Sequence, residues 1–95
     1  MNPQMIKKMR KMQEDMQAAQ KKIEETEYVG KATGVVAVVQ GTRQLIDLQI
    51  SDDIYEEKDL LIAAIIGATN DALNQIDKAQ NDIASSLTGN MGFGF

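Results

Sequence analysis

The chain has 95 residues, 43% hydrophobic and 25% charged, with a formal net charge of −4; that is enough for one globular domain, too short for two, and too apolar for a disordered chain. It contains no cysteine and no histidine, which excludes disulfides, zinc–thiolate sites and thiol catalysis, removes the commonest general base, and leads us to expect a non-enzymatic protein. No apolar run approaches the ~18 residues of a membrane helix and no basic start leads into an apolar h-region, so a soluble, unexported chain is expected.

From Pro3 to about Glu27 the spacing predicts one long helix. Met5, Met9, Met12, Met16, Ala19, Ile23 and Thr26 recur at alternating intervals of four and three, a heptad seam with Lys, Arg, Glu, Asp and Gln between. Pro3 sits where a first-turn proline is tolerated. At 1.5 Å per residue, ~25 residues span roughly 37 Å, more than the width of a compact chain of this length, so the helix must project or lie along another. Strands follow. Tyr28-Val29-Gly30-Lys31 ends at the turn-like Ala32-Thr33-Gly34. Val35 to Val39 is β-branched and apolar on both faces, which predicts that both faces are covered. Gly41-Thr42 fits a two-residue hairpin turn, and the stretch from Leu45 to Ile50 alternates with Ile46, Leu48 and Ile50 inward. A three-strand meander with residues 35–39 in the middle is the simplest arrangement.

An acidic link from Asp52 to Asp59, with room for one helical turn, leads to a second long helix from about Glu57 to Leu87. Ala64, Ala68 and Ala72 form a small-residue ridge beside Gly67 that would let another helix come close. Residues 88–95 hold three of the seven glycines and are expected to form a flexible tail. The fold class is thus α+β: a long N-terminal helix, a three-stranded antiparallel sheet and a long C-terminal helix in one domain, residues 1–87. Two apolar helical stripes and a small sheet are more hydrophobic surface than one protomer can bury, so a homodimer is expected.

Charge is unevenly spread. Residues 1–22 carry six bases (Lys7, Lys8, Arg10, Lys11, Lys21, Lys22) against two acids, whereas the remaining residues carry four bases against twelve. Lys7, Lys8, Arg10 and Lys11 crowd one turn near a helix N-terminus, where the macrodipole is already positive. Arg10–Glu14 and Lys11–Asp15 are i,i+4 pairs in the weaker, base-first order. Such an arrangement fits an anionic partner, with phosphate the obvious one; a merely solvated face, or docking against the acidic link of another protomer, is the plain alternative. No aromatic interleaves the bases, so stacking on single strands has no support. The methionine stripe is read as ordinary helix pairing. The cluster Asp52, Asp53, Glu56, Glu57 and Asp59 lacks the ligand alternation and glycine of a calcium loop and suits the start of a helix, so no metal is expected. Lys31 and Arg43 are isolated bases, each either solvated or touching a phosphate. Phe93 and Phe95 are read as casual.

In element order and short motifs the sequence resembles the YbaB/EbfC family of bacterial nucleoid-associated proteins. The matching features are Met9-Arg10-Lys11-Met12-Gln13-Glu14-Asp15-Met16-Gln17, the strand from Gly34 to Val39 with its following glycine, Ile50-Ser51-Asp52, Thr69-Asn70-Asp71-Ala72 and the Gly/Met/Phe tail. The resemblance implies a cytoplasmic, nucleoid-associated homodimer with protruding helices that binds duplex DNA, with effects on nucleoid organisation and gene expression. The helix-1 bases Lys7, Lys8, Arg10, Lys11, Lys21 and Lys22 would be the family-like DNA contacts, with Arg43 added as a further candidate. Leu73 to Lys78 carries less positive charge than the family pattern. No cofactor, catalytic residue, small-molecule substrate or membrane contact is expected. The competing reading, from a different class, is a protein-interaction or chaperone-like module that holds clients between methionine-rich helices.

Overall fold

A computed structural model describes residues 2–90, with side chains through residue 86. The order is α1 (Pro3–Glu25), β1 (Glu27–Ala32), β2 (Val35–Gln40), β3 (Gln44–Ile50), a one-turn 3-10 helix (Asp52–Ile54) and α2 (Lys58–Asn90). The strands form one antiparallel meander in the order β1-β2-β3. The α+β architecture, with residues 35–39 in the central strand, is the expected one.

Local chemistry starts α1. Asn2 accepts a hydrogen bond from the Gln4 N–H at 3.0 Å, and Pro3 occupies the first turn, where its missing N–H costs nothing. α2 runs to Asn90, three residues further than expected, so the tail expected over 88–95 begins inside the helix; residues 91–95 lie outside the described residues.

The core is a single layer between α2 and one face of the sheet. Ala64, Ala68, Ala72 and Ile76 face Val35, Ala37 and Val39, all buried. The alanine ridge does let a partner come close, but that partner is the sheet and not another helix. Contact is tightest at Gly30, where a Cβ would stand 2.0 Å from the Ala68 carbonyl oxygen and 2.5 Å from the Ala72 nitrogen. Gly67 is exposed, and a Cβ there would meet Ala32 at an ordinary 3.4 Å. A Gly30→Ala variant must push helix and sheet apart. It is expected to lose about 1–3 kcal/mol or more, read as a lowered midpoint in denaturant unfolding.

Two turns depart from the expected pattern. Thr33-Gly34 closes β1 to β2, with Gly34 at φ +73. The β2–β3 connection is a three-residue loop, Gly41-Thr42-Arg43, because Gln40 pairs with Gln44. Its left-handed residue is Arg43 (φ 72), not Gly41. Gly41 is needed for a different reason: a Cβ there would stand 1.7 Å from the Ile23 carbonyl oxygen, and its N–H donates to the Thr26 carbonyl at 2.9 Å. That contact seats the hairpin on the C-terminal end of α1.

β3 also departs from strict alternation. Val38 pairs with Asp47 but Val39 pairs with Leu45, so Ile46 is the extra residue of a bulge. Leu48 and Ile50 are half-buried as expected, whereas Ile46, expected inward, is exposed along with Leu45. The physical reason is coverage, because α2 lies over β1 and β2 and leaves the place above β3 empty. The opposite sheet face is uncovered too: Val29 is exposed and Val36 and Val38 are half-buried, where coverage of both faces was expected.

The two edges of the sheet differ. At β1, the Lys31 N–H donates to Asp71 Oδ2 at 3.0 Å and Gln75 Nε2 donates to the Val29 carbonyl at 2.8 Å. Two side chains of α2 thus occupy backbone groups that would otherwise offer an edge for pairing. The chain is elongated, with extents of 66 × 28 × 12 Å and a radius of gyration of 18.9 Å, against about 12 Å for a compact domain of this length.

Candidate nucleic-acid interface

α1 is fixed at one end and free at the other. Ile23 is buried against Val39, Ala72 and Ile76. Nearly one turn earlier, Gln20 Nε2 donates to Gln80 Oε1 at 2.7 Å, tying α1 to α2. Residues 2–11 are exposed all round. This segment is the projecting part of the helix, and it bears Lys7, Lys8, Arg10 and Lys11.

Helical phase sorts its side chains. At 100° per residue, the seam Met5, Met9, Met12, Met16, Ala19 and Ile23 occupies one narrow stripe, and the six bases fall in a sector of roughly 160° outside it, with Lys8 at the edge beside the seam. Lys7, Arg10, Lys11 and Lys21 therefore point away from the protein's own second helix, and Lys8 and Lys22 flank the seam. Along the axis they form two groups, since Lys8 and Lys22 are roughly 21 Å apart at 1.5 Å per residue.

Acid partners take up some of this charge. Lys11 lies 3.8 Å from Asp15, and Lys21 lies 3.9 Å from Glu25. Both pairs are largely exposed, so each contributes at most about 1 kcal/mol and yields readily to a stronger anion. Among the described residues Lys7, Lys8, Arg10 and Lys22 form no ion pair; Arg10–Glu14, expected from spacing, is not made. The free charge is concentrated where the helix projects.

Arg43 has a different setting. Its guanidinium donates to the Asp77 carboxylate on α2, a pair in which both side chains are about half exposed (50% and 53%). This bond anchors the β2–β3 loop to α2 at the end of α1 that carries Lys21 and Lys22. Arg43 is thereby separated from the Lys7–Lys11 group and has a structural partner. Nothing in the sequence marks Asp77 as that partner, because the two residues are 34 positions apart.

A cleft of about 300 Å³ opens where α1 and α2 part, lined by Met12, Asp15, Met16, Ala19, Asp82, Ile83 and Ser86. The helices are antiparallel there, with Gln20 opposite Gln80 and Ala19 and Met16 beside Ile83 and Ser86. Among the described residues no cluster of acidic side chains converges to hold a metal ion, and no helix is long and apolar enough to cross a membrane.

Helix, three-stranded meander and helix, with the positive charge gathered on one projecting helix, define an α+β protein built to present a surface. The profile of the YbaB/EbfC DNA-binding family matches residues 1–91. A nucleoid-associated protein of Enterococcus faecalis is 41% identical over 78 residues, covering 78% of this chain and 75% of the relative. One from Agathobacter rectalis is 35% identical over 94 residues, covering 95% and 83% respectively. The crystal structure of an uncharacterized Helicobacter pylori protein superposes with a TM-score of 0.72 at 22% identity, covering 92% of this chain and 97% of that one. The chain belongs to the YbaB/EbfC DNA-binding family.

Proposed function

We propose that the protein binds duplex DNA as a homodimer, without catalysis, mainly through phosphate contacts from α1, and that it acts in the cytoplasm as a nucleoid-associated protein with a role in nucleoid organisation and gene regulation. The observation that carries this reading is the outward, partner-free charge of Lys7, Lys8 and Arg10 on a projecting helix, in a chain of a DNA-binding family. Lys11, Lys21 and Lys22 extend the basic side of α1, and Arg43 is a secondary contact available through its exposed half. Phosphate neutralisation carries no sequence information, so any preference comes from the shape and deformability of the duplex.

Dimerisation rests on surface that one protomer leaves apolar. On α2, Ile62 is 47% and Ile66 55% exposed. By helical phase these two lie about 120–160° around the helix from Ala64 and Ala68, which are buried against the sheet, so they form an apolar face pointing away from it. The exposed Leu45 and Ile46 of β3 lie further along α2, at the level of Ala72 and Ile76. The second copy's α2, laid against this face, covers Ile62 and Ile66 on each side in the self-complementary manner of a two-fold interface.

The test is anisotropy of a labelled duplex of ~30 base pairs across a salt series. A dimer offers roughly eight to twelve helix-1 bases, each phosphate contact contributing a slope of about −0.9 in log affinity against log salt. A slope of about −4 or steeper is expected. Absence of binding at low salt would sink the reading and favour the protein-interaction alternative, for which the exposed methionines of α1 are the supporting feature.

A further inference from the structure

One flank of the α1–α2 pair is a groove with carboxylates in its wall. Two cavities lie end to end along it and share Ala19, Asp82 and Ile83; one reaches Asp15 and Met16, the other Lys22. The Gln20–Gln80 bond closes the opposite flank. Asp82 forms no ion pair among the described residues, and the pair of Asp15 with Lys11, at 3.8 Å, is exposed. The projecting end of α1 carries the converse surface. Met5 is 57%, Met9 53% and Met16 40% exposed, and by helical phase Lys8 stands on the same flank of the seam as Asp15 and Lys22.

We propose that this groove takes the projecting α1 of a second copy, the two helices crossing antiparallel about a two-fold axis. Charge selects the register. With Met9 opposite the second copy's Met12, and Met5 opposite its Met16, the seams overlap over roughly 16 Å. Lys8 precedes Met9 and Asp15 precedes Met16, and these flanking positions face each other across an antiparallel seam. Lys8 therefore meets the second copy's Asp15, and symmetry makes the pair twice. The start of the second α1, the positive end of its dipole, comes level with Asp82. Sliding the helices apart by one heptad sets Lys8 against Lys8. Sliding them together by one heptad sets Asp15 against Asp15 and Lys8 against Lys22. Lys7, Arg10 and Lys11 point away from the seam and stay outside the contact. It uses neither Ile62 nor Ile66, so it is additional to the pairing proposed through α2. Two helix ends bury less than the ~1,200 Å² of a standard interface, which makes this a weak contact that forms well above micromolar concentration.

Sedimentation equilibrium of the full-length protein, without DNA, from about ten micromolar to about one millimolar tests this. The weight-average mass is expected to rise across that range. Lys8→Asp and Asp15→Lys each turn two attractions into two repulsions and are expected to weaken the association by about tenfold. Lys8→Asp/Asp15→Lys together restore the attraction with reversed sign, and the association is expected to return to within about twofold of the unaltered protein. Both positions are exposed, so the variants keep the protomer fold. A mass that does not rise would overturn the contact and leave the groove to a different partner. A rise equal in all four proteins, or one that the double variant fails to restore, would overturn the pairing of Lys8 with Asp15. The same order among the variants is expected when Ile62→Glu/Ile66→Glu is added; loss of the rise in that background would place the association on α2 instead. No duplex is present, so the result is independent of the DNA reading.

Discussion

Replacing Lys7, Lys8, Arg10 and Lys11 together by alanine is expected to weaken duplex binding by roughly two orders of magnitude at ~50 mM salt and to flatten the salt slope by about four. The size follows from counting. A dimer loses eight positive side chains, and if half of them neutralise phosphates, each removes about 0.9 from the slope. Folding is not at stake. All four residues lie in the segment exposed all round, and the one ion pair lost, Lys11–Asp15, is an exposed pair. Alanine has the highest helix propensity, and the change also removes cations from the positive end of the helix dipole. Protomer stability is therefore expected to stay within about 0.5 kcal/mol, the usual range for surface substitutions. Lys21→Ala/Lys22→Ala serves as the comparison, with a smaller slope change because Lys21 is engaged with Glu25. Undiminished binding by the fourfold variant would end the case for α1 as the contact. Loss of DNA binding with retained suppression of client aggregation would show two separable surfaces on one helix.

Much of this architecture is legible in the sequence because its signals are periodic. The three-and-four spacing from Met5 to Ile23 reports α1 correctly, and its C-terminal members do meet α2. The apolar, β-branched run from Val35 to Val39 reports the central strand, and the acidic link reports a single helical turn. The misreadings share one cause: each concerns a contact between distant segments. Gly41 looks like a turn glycine, but its lack of a side chain serves the Ile23 carbonyl, and the positive φ passes to Arg43. Ala64, Ala68 and Ala72 announce close approach without saying to what, and the answer is Gly30 in the sheet. Ile46 alternates correctly with its neighbours in sequence, yet a bulge that no local pattern marks leaves it exposed. At the site itself, the concentration of bases in residues 7–11 is readable from composition. The loss of Arg43's independence to Asp77, the Gln20–Gln80 tie and the divergence of the helices beyond Met16 are readable only in three dimensions.

The combined change Ile62→Glu/Ile66→Glu is expected to convert the dimer to a monomer of 10.5 kDa, read by light scattering at micromolar concentration. Both side chains are about half exposed in the protomer, so glutamate is tolerated there and helical circular dichroism should be retained. In the proposed dimer the same positions would be enclosed by a second α2, and four carboxylates would enter an apolar seam at Ile62 and Ile66. Burying even one unpaired charge costs several kcal/mol, enough to raise a micromolar dissociation constant beyond the measured range. Val29→Glu on the open face of the sheet provides the contrast. It places one charge on an equally exposed apolar side chain but away from α2, and the dimer mass should survive it. A dimer that withstands the α2 change and falls apart with Val29→Glu would move the interface to the open sheet face. A monomeric parent protein at micromolar concentration would remove the homodimer altogether. The consequence for DNA is quantitative: a monomer presents half the bases, so its salt slope is expected to be about half that of the dimer. In the proposed dimer, pairing through α2 would thus turn two modest basic helices into one multivalent phosphate-binding surface.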